Sequence, residues 1–283
     1  MVKKKPSYNN YNGFLIPQGF PIEGFQSGLA YVAQPDDIFI ATYPKCGTTW
    51  TMYIVWLILH NGEPLEPTKR LEQFYPHLEE VGKETINALP SPHVIKTHLP
   101  YGMTPYHPQS KYIYIARNPF DCLVSFYHHT RRFIKHYDFA EGQFDVFFEC
   151  FIQGEVDFGD YFDNLTSWYE KENEHFVLFL TYEQMKQDIE ASIKKIACFI
   201  GCKQVIEDKF VMKKIISHSS FSSMSRDQQR WSSKRPDHMP AFIRKGKVGD
   251  WRSYFSDEQK ARLMNKLLSK GDVKSLWDQA ILS

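Results

Sequence analysis

The run Ile38-Phe39-Ile40-Ala41-Thr42-Tyr43 constrains the fold of this chain more than any other feature. A stretch with so little polar alternation suits a strand buried on both faces, as in a parallel sheet, rather than a half-exposed hairpin. Pro44-Lys45-Cys46-Gly47 follows as a turn, and the pattern predicts a helix from Trp50 to His60, capped by Thr48 or Thr49 and stopped at Asn61-Gly62. The unit recurs. Lys111 to Ala116 reads as a strand, Asn118-Pro119 as a turn and Phe120 to Lys135 as a helix. Phe176 to Tyr182 reads as a strand, followed by a helix from Glu183 to Ile200 that stops at Gly201. A shorter strand, His93 to Lys96, leads into Thr97-His98-Leu99-Pro100. Strands alternating with helices imply right-handed crossovers, so the expected class is α/β, with a central parallel sheet flanked by helices. Ligands of such sheets bind beyond the carboxyl ends of the strands. By that rule Lys45, His98, Arg117 and Tyr182 lie along one edge.

Length and charge bound the function. A chain of 283 residues buries about three-quarters of its extended surface and needs neither disulfides nor metals to fold. Its five cysteines (Cys46, Cys122, Cys150, Cys198 and Cys202) are scattered and form no CxxC pair, so a disulfide framework and structural zinc are both disfavoured and the expected compartment is the reducing cytoplasm. Thirty-four basic residues against 33 acidic ones give a net charge of +1, which argues against a nucleic-acid partner but allows a local cationic pocket. The longest apolar run, Met52 to Leu59, falls far short of the ~20 residues of a membrane span. The basic start at Met1 to Lys5 has no apolar segment behind it, so neither a secretory signal nor a membrane partner is expected. Residues 1–35, rich in Gly, Pro, Tyr and Asn, read as an irregular lead-in to one domain over 36–283. The stretch 217–250 is rich in Ser, Arg, Lys, Pro and Gly; its length and its Arg244-Lys245-Gly246 cluster suit a lid over an anion.

The strand–turn–helix around Lys45 has the mechanics of a phosphate cradle. Backbone N–H groups at the turn and the helix start point outward, the helix dipole adds positive potential, and Lys45, Thr48 and Thr49 supply a charge and hydroxyls. It is P-loop-like without being a Walker A loop, since GxxxxGK[ST] is absent and the lysine precedes the glycine. An ordinary βα turn with a chance lysine is the plain alternative at this point.

This segment resembles the 5′-phosphosulfate loop of the cytosolic sulfotransferases, which use 3′-phosphoadenosine 5′-phosphosulfate (PAPS) as donor and release 3′-phosphoadenosine 5′-phosphate (PAP). Lys96-Thr97-His98-Leu99-Pro100 resembles the family's catalytic segment, and Arg117-Asn118-Pro119 with Ser125 resembles its 3′-phosphate strand and helix. Arg244-Lys245-Gly246, followed by Gly249-Asp250-Trp251, resembles its carboxyl-terminal phosphate clamp. The motifs stand in family order between about Asp36 and Phe255.

The resemblance implies roles residue by residue. His98 is the general base; position alone leaves it open as one structural histidine among eleven. Lys45 and Lys96 bracket the transferring group, where charge builds on the bridging and peripheral oxygens of a loose in-line transition state. Arg117 and Ser125 hold a phosphate, closed over by Arg244, Lys245 and the N–H of Gly246, with Arg117 suited by its bidentate fork. Cys46, Gly47, Thr48 and Thr49 form the cradle. Trp50 and Phe221 sandwich the adenine, and Tyr182, Ser219 and Met224 line the same site. No metal is implied, and His128-His129 do not share a helix face as a ligand pair would. The implied acceptor is a small molecule, a phenol or a phenolic amine. Phe74, Tyr75 and Phe126 are its expected contacts, with Tyr127, Phe133, Tyr137 and Phe139 in the same stretches. Glu79, Glu80, Asp138 and Glu141 are ordinary surface charges or a greeting for an amine.

Two features depart from the family. Cys46 stands where serine is usual; beside Lys45 at a helix start, its thiol is expected to have a lowered pKa and to be sensitive to oxidants. The dimer motif of a Lys, Thr-Val and a Glu is replaced by Arg252, Ser256-Asp257 and Ala261, so a monomer or a weak homodimer is expected. Against the enzyme stand a kinase, which needs a Walker loop and a magnesium carboxylate, a membrane-anchored relative, and a nucleotide-binding protein of the same fold without turnover.

Overall fold

The computed structural model describes residues 4–231, 243–277 and 282. Its centre is a parallel sheet of strands β3 (Ile38–Thr42), β4 (Val94–Thr97), β5 (Lys111–Ala116) and β6 (Val177–Thr181), in the order β4-β3-β5-β6. A hairpin of β1 (Tyr8–Tyr11) and β2 (Phe14–Pro17) and helix α1 (Ile22–Leu29) precede it. The crossover from β3 carries α2 (Thr48–Leu59) and α3 (Leu78–Asn87), the latter kinked at Gly82. Between β5 and β6 run α4 (Pro119–Arg132), α5 (Ile134–Tyr137), α6 (Phe144–Gln153) and α7 (Tyr161–Tyr169). After β6 come α8 (Tyr182–Gln187), α9 (Ile189–Phe199), α10 (Lys203–Glu207), α11 (Lys209–His218), α12 (Phe221–Met224) and α13 (Asp257–Leu268).

Every residue of β3 is buried, as an uninterrupted apolar run demands. Its side chains alternate between two cores. Phe39, Ala41 and Tyr43 join one with Tyr112, Tyr114 and the rings of α4, α6 and α7, while Ile38 and Ile40 join the other with Ile113, Ile115 and the apolar residues of α2, α9 and α11. From β3 the chain crosses first to β4 on one side and then to β5 on the other, so the sheet has its switch point at β3. That is where an open α/β sheet leaves a crevice at its carboxyl edge.

Three local expectations need correction. Residues 1–35 are not irregular where described, because β1, β2 and α1 lie within them; Phe25 and Ile16 are fully buried and dock these elements on the aromatic core. The helix expected over Glu183 to Ile200 is two helices. Asp188 is extended (φ −141°, ψ 88°) and its carboxylate caps α9 by accepting from Ala191 N at 2.9 Å. The helix expected to reach Lys135 ends at Arg132, and Phe133 (φ −93°, ψ 66°) turns the chain into α5. Part of the expected lid, residues 232–242, lies outside the described residues.

Two glycines one helical turn apart bring α1 against the start of α3. A Cβ at Gly24 would stand 2.8 Å from the Glu80 carbonyl oxygen, and one at Gly28 only 2.6 Å from that of Leu78. On helix propensity alone Gly28→Ala gains about 1 kcal/mol. The backbone clash outweighs it, and the substitution is expected to destabilise by a net ~1–3 kcal/mol. Urea unfolding checks this: the midpoint falls at an unchanged slope.

Candidate active site

A cleft of about 240 Å³ opens along the carboxyl edge of the sheet, lined among others by Lys45, Lys96, His98, Arg117 and Tyr182. Residues that follow β3, β4, β5 and β6 therefore meet in one space, as the strand-end rule predicts.

The cradle begins where β3 ends. Tyr43 is fully buried and its hydroxyl donates to the Gly159 carbonyl at 2.8 Å, anchoring the turn. Lys45 then takes φ 70° and Gly47 φ 103°. The left-handed region costs a non-glycine residue about 1–2 kcal/mol, and here it accompanies the placement of Lys45 in the cleft. Gly47, not Thr48 or Thr49, is the N-cap of α2. Thr48 is unavailable for capping because its hydroxyl bonds that of Thr42 at 2.6 Å. Both threonines line the cleft with Trp50. The first N–H groups of α2 have no partner within the helix, so they and its dipole set positive potential at this point.

Cys46 does not behave as its sequence position suggests. It is fully buried, with its sulfur 3.8 Å from the Pro44 carbonyl and 3.7 Å from the sulfur of Cys122, and it is absent from the cleft wall. Burial pushes its thiol pKa well up rather than down. The turn points residue 45 outward and residue 46 into the core, which leaves only the backbone of Cys46 for the cradle.

Arg117, following β5, is buried beneath the cleft. It donates to the Lys45 carbonyl at 3.0 Å and lies with its guanidinium carbon 4.5 Å from the Tyr182 ring centre, yet its Nε has no partner. Ser125, two turns into α4, lines the cleft beside it. A polar network lies under this corner. Asn118 caps α4 by accepting from Asp121 N at 2.9 Å and donates to Asp121 and Glu183 at 3.0 and 2.8 Å. Asp121 in turn accepts from Gly249 N at 2.7 Å and Trp251 N at 3.1 Å, tying residues 249–251 to α4. Arg244 and Lys245 share the carboxylate of Asp250, each at 2.6 Å, and line the cleft with Gly246. A Cβ at Gly246 would fall 2.5 Å from the Phe221 ring, so only glycine lets this backbone approach so closely. Ser219, Phe221 and Met224 line the same end, and the Trp50 indole donates to the Ser219 carbonyl at 2.8 Å.

His98 sits at the centre. Its backbone N–H donates to Glu79 Oε1 at 2.6 Å, and the same oxygen accepts from Leu99 N at 3.1 Å and from the Thr97 hydroxyl at 2.7 Å. Burial alone would push the Glu79 carboxyl up, but the charge of His77, whose Nε2 lies 3.1 Å away though off line for a hydrogen bond, and these donors hold it below its ordinary value. The imidazole Nδ1 lies 2.8 Å from the Thr42 carbonyl oxygen. A carbonyl only accepts, so Nδ1 carries the hydrogen and Nε2 presents a lone pair. Burial, then the charges of Lys96 and His77, push its pKa well below 6.5, so the ring is neutral at pH 7.

The acceptor half differs most from expectation. Phe74, Tyr75 and Phe126 do not line the cleft. Phe74 and Tyr75 pack near Trp56, with ring centres 5.0 and 5.8 Å away, and Phe126 is fully buried against Tyr43 and Phe147. Tyr127 and Phe139 are core as well, and Glu79 is a structural carboxylate; Asp138 is on the surface, paired with Lys4, and Glu141 is exposed. Phe133, Tyr137 and Glu80 do line it. Helical geometry explains the exchange on α4: Ser125 and His129, four apart, share one face, and Phe126 is rotated about 100° from it. The same spacing would have found His129 from Ser125, and Lys186 from Tyr182 on α8. Phe20, His77, His136, Asp157 and Phe158 also line the cleft, and no sequence motif announces them.

Such a cleft, with the turn at Lys45 opening α2 at the carboxyl edge of the sheet, places the protein in the P-loop-like class of α/β proteins. A family model described as sulfotransferase domain matches residues 35–269. The chain is 36% identical over 257 residues to Sulfotransferase 1C2 of Homo sapiens, covering 85% of each protein. It is 38% identical over 263 residues to Sulfotransferase 1B1 of Canis lupus familiaris, covering 85% of this chain and 87% of that protein. The crystal structure of mouse sulfotransferase SULT7A1 complexed with PAP superposes with a TM-score of 0.78 at 31% identity, over 95% of this chain and 97% of that one. The chain belongs to the sulfotransferase family and is a PAPS-dependent enzyme.

The placement of the cysteines is open to a direct check. Mass spectrometry after alkylation of the native protein is expected to find Cys198, which is exposed, modified and Cys46 unmodified, with or without PAP. Rapid modification of Cys46 in the absence of PAP would contradict its burial.

Proposed function

We propose that the enzyme transfers the sulfuryl group of PAPS to the hydroxyl, or the amine, of a small aromatic acceptor, a phenol or phenolic amine, with His98 as general base. The observation that carries this reading is the His98 ring itself: neutral, held at Nδ1 by the Thr42 carbonyl, in a cleft shared with Lys45 and Lys96.

The residues present fit the donor. Arg117 is buried with an unpartnered Nε, and burial, together with the charge of Arg117, lowers the Lys186 ammonium. A buried guanidinium left with an unpartnered donor calls for an anion. Arg117, Ser125, Arg244, Lys245 and the Gly246 N–H are suited to the 3′-phosphate, and Trp50 and Phe221, with Tyr182, Ser219 and Met224, to the adenosine. Gly47, Thr48, Thr49 and the backbone of Cys46 suit the phosphosulfate. When bound, PAPS supplies an electrophilic sulfuryl group on a phosphate leaving group.

His98 Nε2 takes the proton from the acceptor hydroxyl. Lys45 and Lys96 set positive charge where the oxygens of the transferring group become more negative. Their ammonium groups and the backbone donors suffice for a sulfuryl group, which carries less charge than a phosphoryl group, and the reading needs no metal. The aromatic walls Phe20, Phe133 and Phe158 exclude water and take a flat ring. The enzyme acts in the cytoplasm, as a monomer or weak homodimer; Ser256 and Asp257 of the altered dimer motif open α13, where Ser256 accepts from Gln259 N at 3.2 Å.

His98→Ala is expected to lower kcat by about 10²–10⁴-fold, while PAP affinity measured by calorimetry changes by less than about threefold. A mere nucleotide binder would show no turnover to lose. Because the His98 pKa lies well below 6.5, the neutral, proton-accepting form dominates above that value. The acid limb of the kcat/KM profile is therefore expected below the ordinary imidazole range; a limb centred near 6.5 or above would contradict the assignment.

A further inference from the structure

The acceptor half of the cleft holds a carboxylate with one oxygen that neither the fold nor the transfer step uses. Asp157, in the connection between α6 and α7, lines the cleft while only 1% exposed. The Tyr137 hydroxyl donates to its Oδ2 at 2.9 Å, and Oδ1 has no partner. Among the described residues no lysine or arginine stands within ion-pair distance of it. His77, whose charge also acts on it, is already placed against Glu79 and Glu80. A buried polar atom left without a partner costs free energy, and in a substrate cleft the missing partner is supplied by the ligand.

The loop is held firmly enough to make Asp157 a fixed contact. Phe158 N donates to the Leu15 carbonyl at 2.8 Å, and the Tyr43 hydroxyl reaches Gly159 at the same distance. Phe158, at φ 65°, sets its ring 5.1 Å from that of His98. The carboxylate thus stands one residue along the chain from the wall that packs on the base. Glu80 adds a second acid to the lining, while the rings of Phe20, Phe133, Tyr137 and Phe158 supply flat apolar surface.

We propose that Asp157 determines acceptor specificity: its Oδ1 accepts from the ammonium group of a phenolic amine whose hydroxyl faces His98. This rests on the sulfotransferase reading above and narrows its acceptor to the amine-bearing class. Burial pushes the Asp157 carboxyl up to about 7, so a cation arriving at Oδ1 replaces the missing countercharge and favours the ionised form. A neutral phenol of the same shape leaves that oxygen unpaired, which is the condition under which a site discriminates strongly.

The test compares tyramine with 4-propylphenol, in which a methyl replaces the ammonium group. With PAPS as donor, the wild-type kcat/KM is expected to favour tyramine, and Asp157→Asn to reduce that preference at least tenfold, chiefly through KM. The asparagine retains an oxygen for Tyr137, and PAP binding reports whether the variant has folded. Tyr137→Phe, which keeps the carboxylate, retains the preference for the amine. A wild-type enzyme that favours 4-propylphenol, or a ratio unchanged in Asp157→Asn, overturns the proposal. Calorimetric binding of tyramine to the PAP-saturated protein reads Asp157 without turnover: tenfold weaker binding in the variant supports the proposal and equal binding overturns it. Absence of transfer to any acceptor, with tyramine binding still dependent on Asp157, counts against the transfer reading instead.

Discussion

The bond between His98 Nδ1 and the Thr42 carbonyl, 2.8 Å long, is the contact on which the proposed chemistry of this cleft depends. It fixes the tautomer, and with it which nitrogen is left with a lone pair. The bond exists because β3 and β4 are parallel and in register, with Ala41 opposite Thr97, so that Thr42, the last residue of β3, stands beside His98, the first after β4. A slip of one residue would turn every side chain of β4 to the other face and remove the histidine from the cleft. Glu79 secures the arrangement from the opposite side. Its single oxygen Oε1 gathers the Thr97 hydroxyl and two backbone N–H groups, so the turn after β4 has one way to run.

Around this frame the charge is unevenly spread. The chain carries a net charge of only +1, yet Lys45, Lys96, Arg117, Lys186, Arg244, Lys245 and Lys247 all line one cleft. Asp250 takes up Arg244 and Lys245, and backbone carbonyls take up part of Arg117. The proposed anionic nucleotide would neutralise the rest, and any ligand that binds the folded state alone also stabilises it. The carboxylates Glu72, Glu80 and Asp157 line the same cleft, so it is not uniformly cationic. The low basicity of His98 follows from burial beside Lys96 and His77, and it keeps the ring competent to accept a proton at neutral pH.

Much of this was legible in the chain. The buried strand around Ile40, the turns at Lys45 and Arg117 and the histidine after β4 are all local signals: an apolar run, a glycine or proline, a polar residue just past a strand end. They place the donor site because the strand-end rule converts sequence order into space. The acceptor side follows no such rule. Phe126 and Ser125 are neighbours in sequence, but the rotation of α4 sends one into the core and the other to the cleft, and only the packing partners of α4 decide which. Phe20 arrives from a hairpin and helix that read as irregular, since two short strands leave little periodicity. Cys46 was misjudged for a similar reason. Its neighbours in sequence suggested a helix-start thiolate, whereas the left-handed turn at Lys45 points the sulfur inward to Cys122. Asp157 carries no motif at all and is noticeable only once its oxygen is seen to lack a partner.

The proposed chemistry turns on one proton on the His98 ring. Nitrogen NMR of protein labelled at histidine, with His98→Gln to assign the signal, reads that proton directly. At pH 7 the account predicts a neutral His98 with hydrogen on Nδ1 and a bare Nε2, persisting well below pH 6.5. A doubly protonated ring at neutral pH, or a neutral ring with the hydrogen on Nε2, would contradict it.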